Sequence, residues 1–196
     1  MLATLAGLTA PRLVWFAFLT YASVVVTRLL NGSPAASGAV VAAASLGSAV
    51  ATTQVGRLTG GHGRARLLVG SIVGSGAGLV GVGVAPSVAV AVGAAALTGA
   101  GFGVSLSLYR SEMTRLAPAA RRGGLVSVGE SVGRVGSTIG PVLAGAFVEL
   151  GRPVLGDGGA VRGALAAMAL VAVALGAASV LVAGRFAAPP GSPAAD

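Results

Sequence analysis

The chain has 196 residues, 55% of them apolar and 33 of them glycine, and only 9% carry charge. A soluble domain wets its surface with roughly 25% charged residues, and a disordered segment combines low hydrophobicity with high net charge, so both classes are excluded. A mean hydropathy of +0.91 places the chain in a bilayer.

A spanning helix needs about 20 predominantly apolar residues to cross a hydrocarbon core of about 30 Å. Six stretches meet that length: Leu13 to Leu30, Ala35 to Gly56, Leu67 to Ala85, Ser87 to Tyr109, Gly124 to Val148 and Gly163 to Ala183. The expected fold is therefore all-α, a polytopic membrane helix bundle of six transmembrane helices within residues 1–186, followed by a disordered Pro/Ala/Gly-rich tail at 187–196. Between the stretches lie a turn cluster at Asn31 to Pro34, a basic Gly-rich loop at Arg57 to Arg66 and a tight connection at Pro86. A second basic loop follows at Arg110 to Arg122, and a Gly, Pro and Asp segment at Glu149 to Arg162. No basic region precedes the first apolar run, which reads as a retained span rather than a signal peptide.

The net charge is +8, and every basic residue is arginine. These arginines interrupt apolar runs and have few aromatic neighbours, which suits anchoring at a membrane surface and not nucleic-acid binding. With both termini cytoplasmic, Arg12, Arg57, Arg64, Arg66, Arg110, Arg115, Arg121, Arg122 and Arg185 fall on the inner face. Arg28, Arg152 and Arg162 fall on the outer face, so the positive-inside rule selects this orientation in a cell inner (plasma) membrane.

Gly74 and Gly78, Gly99 and Gly103, and Gly129 and Gly133 stand four apart, with Gly136 and Gly140 extending the last row. Such spacing lets helices approach closely in lipid. Gly140-Pro141 predicts a bend in the fifth span, since proline removes a backbone donor and crowds the preceding turn.

Soluble-enzyme motifs fail in this setting. Gly129-Glu130-Ser131-Val132-Gly133 matches a nucleophile elbow, but that motif needs a strand-to-helix turn and a histidine partner. The single histidine, His62, falls in a loop, and the carboxylates show no metal-ligand spacing, so neither enzyme, cofactor nor metal is expected.

Charges at depth carry the functional signal. Counted from Gly124, Glu130 and Arg134 lie about 9 and 15 Å along the fifth helix. An arginine near midplane costs about 2.5 to 3.5 kcal/mol even on lenient scales, and such residues usually face a cavity or a partner. The i,i+4 spacing puts Glu130 and Arg134 on one face. Either they neutralise one another and make insertion tolerable, or they line a polar path in which Arg134 holds an anionic group and Glu130 exchanges a proton. Arg28 and Tyr21 are further pathway candidates, and Gln54, Tyr109 and Ser131 could add polar contacts. Trp15, Tyr21 and Tyr109 equally suit interface anchors or packing residues. Glu112, between Arg110 and Arg115, reads as part of a solvated loop network.

The segment Gly56-Arg57-Leu58-Thr59-Gly60-Gly61-His62-Gly63-Arg64-Ala65-Arg66 resembles the cytoplasmic loop signature of the major facilitator superfamily. Gly56, Gly63 and Arg64 match it, whereas its Asp and following basic residue fall on Gly60 and Gly61. Arg121-Arg122-Gly123 and the run Gly136 to Pro141 followed by Gly145 are similar to the entry and Gly-Pro portion of that family's eleventh helix. The resemblance implies half of a twelve-helix fold, the C-terminal six helices, built as two three-helix repeats with substrate bound between halves near midplane. It also implies that the first and fourth spans line the cavity, adding Ser105 and Ser107 to Tyr21 and Arg28. The expected function is transport of a small molecule by alternating access, efflux-type and coupled to protons, as a half-transporter that needs a second six-helix half, either a second copy or a separate chain, or as a truncated fragment of a longer transporter. The alternative is a non-transporting membrane protein that binds or stabilises a partner through its small-residue faces.

Overall fold

The computed structural model describes residues 7–118 and 122–183. All regular structure among them is helical: α1 at Thr9–Val24, α2 at Pro34–His62, α3 at Arg64–Val84, α4 at Val88–Leu116 and α5 at Arg122–Ala183. Each is long and apolar enough to cross a membrane. The tail 187–196, Arg121 and Arg185 lie outside the described residues.

Local chemistry sets the ends. α1 begins at Thr9, ahead of the expected Leu13, because Pro11 sits in the first turn, where its missing N–H has no intrahelical acceptor to lose. α1 closes in a π-helical turn at Val25–Leu29, and Asn31 takes a left-handed φ of 51° before α2. Ser33 caps α2 by accepting from the Ala36 N–H at 3.2 Å, with Pro34 at the first helical position. Ser87 caps α4 by accepting from Val90 at 3.4 Å.

The basic loop expected at Arg57 to Arg66 is instead helix on both sides of one residue. α2 runs to His62, and Gly63, with φ 75° and ψ 144°, makes the connection to α3 alone. The loop expected at Arg110 to Arg122 is likewise largely helical, since α4 continues to Leu116 and α5 starts at Arg122. α5 also absorbs the expected segment Glu149 to Arg162. Its 62 residues would measure about 93 Å if straight, but Gly156 breaks the helix at φ 67° and ψ 173°. A Cβ at Gly151 would lie 3.5 Å from the Ala160 Cα, so the chain doubles back into arms 122–155 and 157–183. Backbone dihedrals stay helical at Gly140 and Pro141, and the interruption falls at Gly156.

Small residues determine which helices pair. A Cβ at Gly136 or Gly140 would crowd the carbonyls of Thr9 and Leu13, so the first arm of α5 lies parallel to α1. Gly47, Gly99 and Gly103 let α2 and α4 run side by side, with Gly99 against the Ala44 carbonyl and Gly103 against Ser48. α3 packs on the second arm, where Gly76 meets Ala169 and Gly83 meets Leu165. These approaches suit lipid, where close backbone packing stands in for the missing hydrophobic drive. One apolar core joins Phe18, Val25, Leu79, Leu165 and Met168. A second, around Leu68, Leu108, Tyr109 and Met113, lies toward the arginine-rich end.

Candidate functional site

Glu130 joins three helices at the arginine-rich end. It accepts from Arg12 Nη2 of α1 and, at 2.8 Å, from Arg110 Nε of α4. Arg12 Nη1 also donates to the Glu130 carbonyl at 3.1 Å. The Arg12 side chain is only 8% exposed, against 53% for Arg110, so Arg12 is the partner that depends on the carboxylate. Gly133 makes room for it: a Cβ there would stand 2.9 Å from the guanidinium carbon.

The expected pairing of Glu130 with Arg134 is therefore replaced. Arg12, expected at the membrane surface, is buried, and Arg134 is exposed with no ion pair among the described residues. The i,i+4 relation allowed the contact, but two arginines brought by tertiary packing occupy the carboxylate.

Glu112 is also corrected. Its side chain is 2% exposed, inside α4 and not in a solvated loop. Arg115 holds it from the next turn, with Nε at 3.1 Å and Nη2 at 2.5 Å, and Arg64 Nη1 reaches it at 3.5 Å. Of the loop residues Gly56, Gly63 and Arg64, Gly56 is exposed on α2, Gly63 reverses the chain and Arg64 starts α3 on this buried acid.

The exposed surface of α5's first arm divides in two. At 3.6 residues per turn, Ser127, Ser131, Arg134, Thr138, Gly145 and Glu149 share about one-sixth of the circumference. Val128, Val135, Ile139, Val142 and Leu150, all exposed, occupy the adjoining sector. Two hydroxyls of the polar stripe are satisfied within the helix, Ser131 donating to the Ser127 carbonyl at 3.0 Å and Thr138 to that of Arg134 at 3.3 Å. α1 carries a similar unburied row, in which Thr20 donates to the Phe16 carbonyl at 2.8 Å and Thr27 to that of Ser23 at 2.7 Å.

The stripe ends in a cleft of about 960 Å³ between α1 and the two arms of α5, near Gly156. Tyr21 and Arg28 both line it, as do Glu149, Arg152 and Asp157. The structure thus brings Tyr21 and Arg28 together and leaves Glu130 outside this cleft, toward the opposite end of the arm. Ser105 is buried and donates to the Gly101 carbonyl at 2.8 Å, so it packs inside the bundle. Tyr109 is buried and not an interface anchor; its hydroxyl pairs with Ser179 at 2.7 Å. Gln54 accepts from Arg57 at 3.3 Å, and Trp15 stacks on Phe102 with ring centroids 4.5 Å apart.

A bundle of apolar helices with charged groups clustered at its ends and polar rows on α1 and the first arm of α5 between them defines a multi-pass membrane protein. Among solved structures, the chain is similar to the proton:xylose symporter XylE bound to 6-bromo-6-deoxy-D-glucose, with a TM-score of 0.68 at 21% identity. The match covers 94% of this chain and 46% of that one, so the chain spans about half the length of the solved protein. Comparison with the curated proteins gives no match. A family model of the Major Facilitator Superfamily matches residues 5–196, and the chain belongs to that family.

Proposed function

We propose that the chain forms one six-helix half of an alternating-access transporter for a small molecule and works with a second six-helix half, carried by another copy, by a separate chain or by the same longer polypeptide. The observation that carries this reading is the divided surface of α5. Val135, Ile139 and Val142 suit lipid, whereas the adjoining sector holds Arg134 well inside the arm, where an arginine facing hydrocarbon costs several kcal/mol. A protein wall or a water-filled path removes that cost. The 46% of the symporter that the match covers is the size of one six-helix half.

The six-span count is supported by the reversal at Gly156, which makes two arms of α5. The pairing of rods supports two three-helix repeats: first with fifth, second with fourth, third with sixth. Exchanging the first three rods for the last three maps these pairs onto themselves. On this reading the arginine-rich end and both termini face the cytoplasm of a plasma membrane, and transport is of the efflux type. Arg134, Tyr21 and Arg28 serve the pathway, Glu130 holds three helices together at the arginine-rich end, and Gly140-Pro141 supplies the flexible stretch of the fifth span.

Proteoliposomes holding the chain alone, or together with a co-expressed N-terminal half of a facilitator, test the proposal. Flux of a labelled small-molecule panel is expected in the second preparation, or in the first if two copies pair. A stable stoichiometric complex without flux in either would contradict transport and favour the partner-stabilising alternative.

A further inference from the structure

The cleft near Gly156 contains a charge arrangement that the helix packing does not explain. Three of its four charged groups satisfy one another: Arg152 donates from Nη1 to Glu149 Oε2 and from Nε to Asp157 Oδ1, each at 3.0 Å. The fourth, Arg28, has no ion pair among the described residues, although it lines the same cleft and is exposed to it. The Tyr21 hydroxyl, also lining the cleft, makes no hydrogen bond among those residues. It lies 3.4 Å from where a Cβ of Gly145 would stand, so the absent side chain leaves the phenol room at the wall. Val24, Val148 and Val161 supply apolar lining beside these two polar groups.

A guanidinium with no ion pair and a hydroxyl with no hydrogen bond among the described residues, beside apolar walls, match one chemistry. A planar carboxylate can accept two parallel N–H bonds from arginine, and phenol can donate a further bond to the same group. Apolar lining with few convergent polar groups is the usual composition of small-molecule sites. Glu149 and Asp157 share the single positive charge of Arg152, so the two carboxylates and two guanidiniums of the cleft balance, and Arg28 is the charged group there without an ion pair among the described residues.

We propose that this cleft binds a small carboxylate with an apolar body, its carboxylate on Arg28 and Tyr21 and its body against Val24, Val148 and Val161. The assignment rests on the transporter reading, whose ligand class it names, because the polar stripe of α5 leads from Arg134 through Gly145 to Glu149 at the cleft wall. Arg28 sits on the π-helical turn Val25–Leu29 that ends α1, a distortion frequent at functional sites.

The test uses the full chain in phosphatidylcholine nanodiscs and equilibrium dialysis with two probes of matched shape, radiolabelled benzoate and benzylamine. Benzoate is expected to saturate at one per chain and to bind about tenfold or more tightly than benzylamine, as one charge-assisted contact implies. Arg28→Gln is expected to weaken benzoate binding about tenfold, and Tyr21→Phe by a few-fold. Arg28→Lys is expected to retain the preference for the anion, which separates charge from fold. Equal binding of the two probes by the unmodified chain, no benzoate binding, or unchanged binding in Arg28→Gln would overturn the proposal. Nanodiscs containing phosphatidylglycerol decide between a free carboxylate and a lipid headgroup: equal benzoate binding is expected, and its loss there would overturn the assignment in favour of lipid. Flux in the two-half proteoliposomes is measured separately. Benzoate binding without flux removes the transport reading alone, and flux without benzoate binding removes the cleft assignment alone.

Discussion

Arg12 and Glu130 stand 118 positions apart in the chain, yet Arg12 binds both the carboxylate and the backbone carbonyl of Glu130. The pair fixes α1 to the first arm of α5, and Arg110 adds α4. Removing one partner of a buried pair leaves the other charge uncompensated. Glu130→Ala is therefore expected to lower stability by about 1 to 3 kcal/mol, and Glu130→Gln by less, measured by thermal unfolding in detergent. Arg110→Ala, which removes the exposed partner, is expected to cost under about 1 kcal/mol. Equal losses from Glu130→Ala and Arg110→Ala would refute the assignment of Arg12 as the dependent partner.

The buried Glu112 gives a second ranking. Arg115 makes two contacts with it and Arg64 one long one. Arg115→Ala leaves a carboxylate that is 2% exposed with only the 3.5 Å contact, so it is expected to lower the unfolding midpoint more than Arg64→Ala does. The reverse order would mean that Arg64 is its principal partner.

Two glycines of α4 separate contact from helix propensity. A Cβ at Gly99 would overlap the backbone carbonyl of Ala44, which cannot swing aside, whereas Gly93 has nothing within 4 Å. Gly99→Ala is expected to destabilise by about 1 to 3 kcal/mol through overpacking. Gly93→Ala is expected to be neutral or to stabilise by up to about 1 kcal/mol. Thermal midpoints of the two variants check the difference, and similar midpoints would contradict the α2 and α4 pairing.

The reversal in α5 depends on a backbone conformation open to glycine. Gly156 holds φ 67° with ψ 173°, while nearby Gly158 is helical with open space around it. Gly156→Ala is expected to cost about 1 to 3 kcal/mol, and Gly158→Ala nothing or a slight gain. Unfolding curves showing no difference would place the turn elsewhere.

The apolar stretches were legible because bilayer thickness imposes a length that composition alone reveals. Their ends were less so. The first span was expected to start at Leu13, although the first helical turn tolerates Pro11, and that start placed Arg12 at the surface. Gly63 and Gly156 each reverse the chain within a residue, so segments rich in arginine, glycine and proline that read as loops are mostly helix. The i,i+4 rule sees only neighbours on one helix, so it offered Arg134 to Glu130 and missed Arg12 and Arg110. One signal was present: thirteen arginines share five acids, so a buried acid is expected to serve more than one arginine, as Glu112 and Glu130 both do. Tyr21 and Arg28 were legible as separate polar residues of one span, but the acids that share their cleft, Glu149 and Asp157, come from the two arms of α5, which no spacing in α1 could reveal.

The central claim is that the polar stripe of α5 faces water or protein while the adjoining apolar sector faces lipid. The chain has no cysteine, so single substitutions report without background. Ser131→Cys, Thr138→Cys, Val135→Cys and Val142→Cys can be labelled in membrane vesicles with a small, water-soluble thiol reagent. With the second half absent, Cys at 131 and 138 is expected to react at least about tenfold faster than Cys at 135 and 142, because a thiol must reach water to ionise. Equal rates, or faster labelling of the valine positions, would contradict the account.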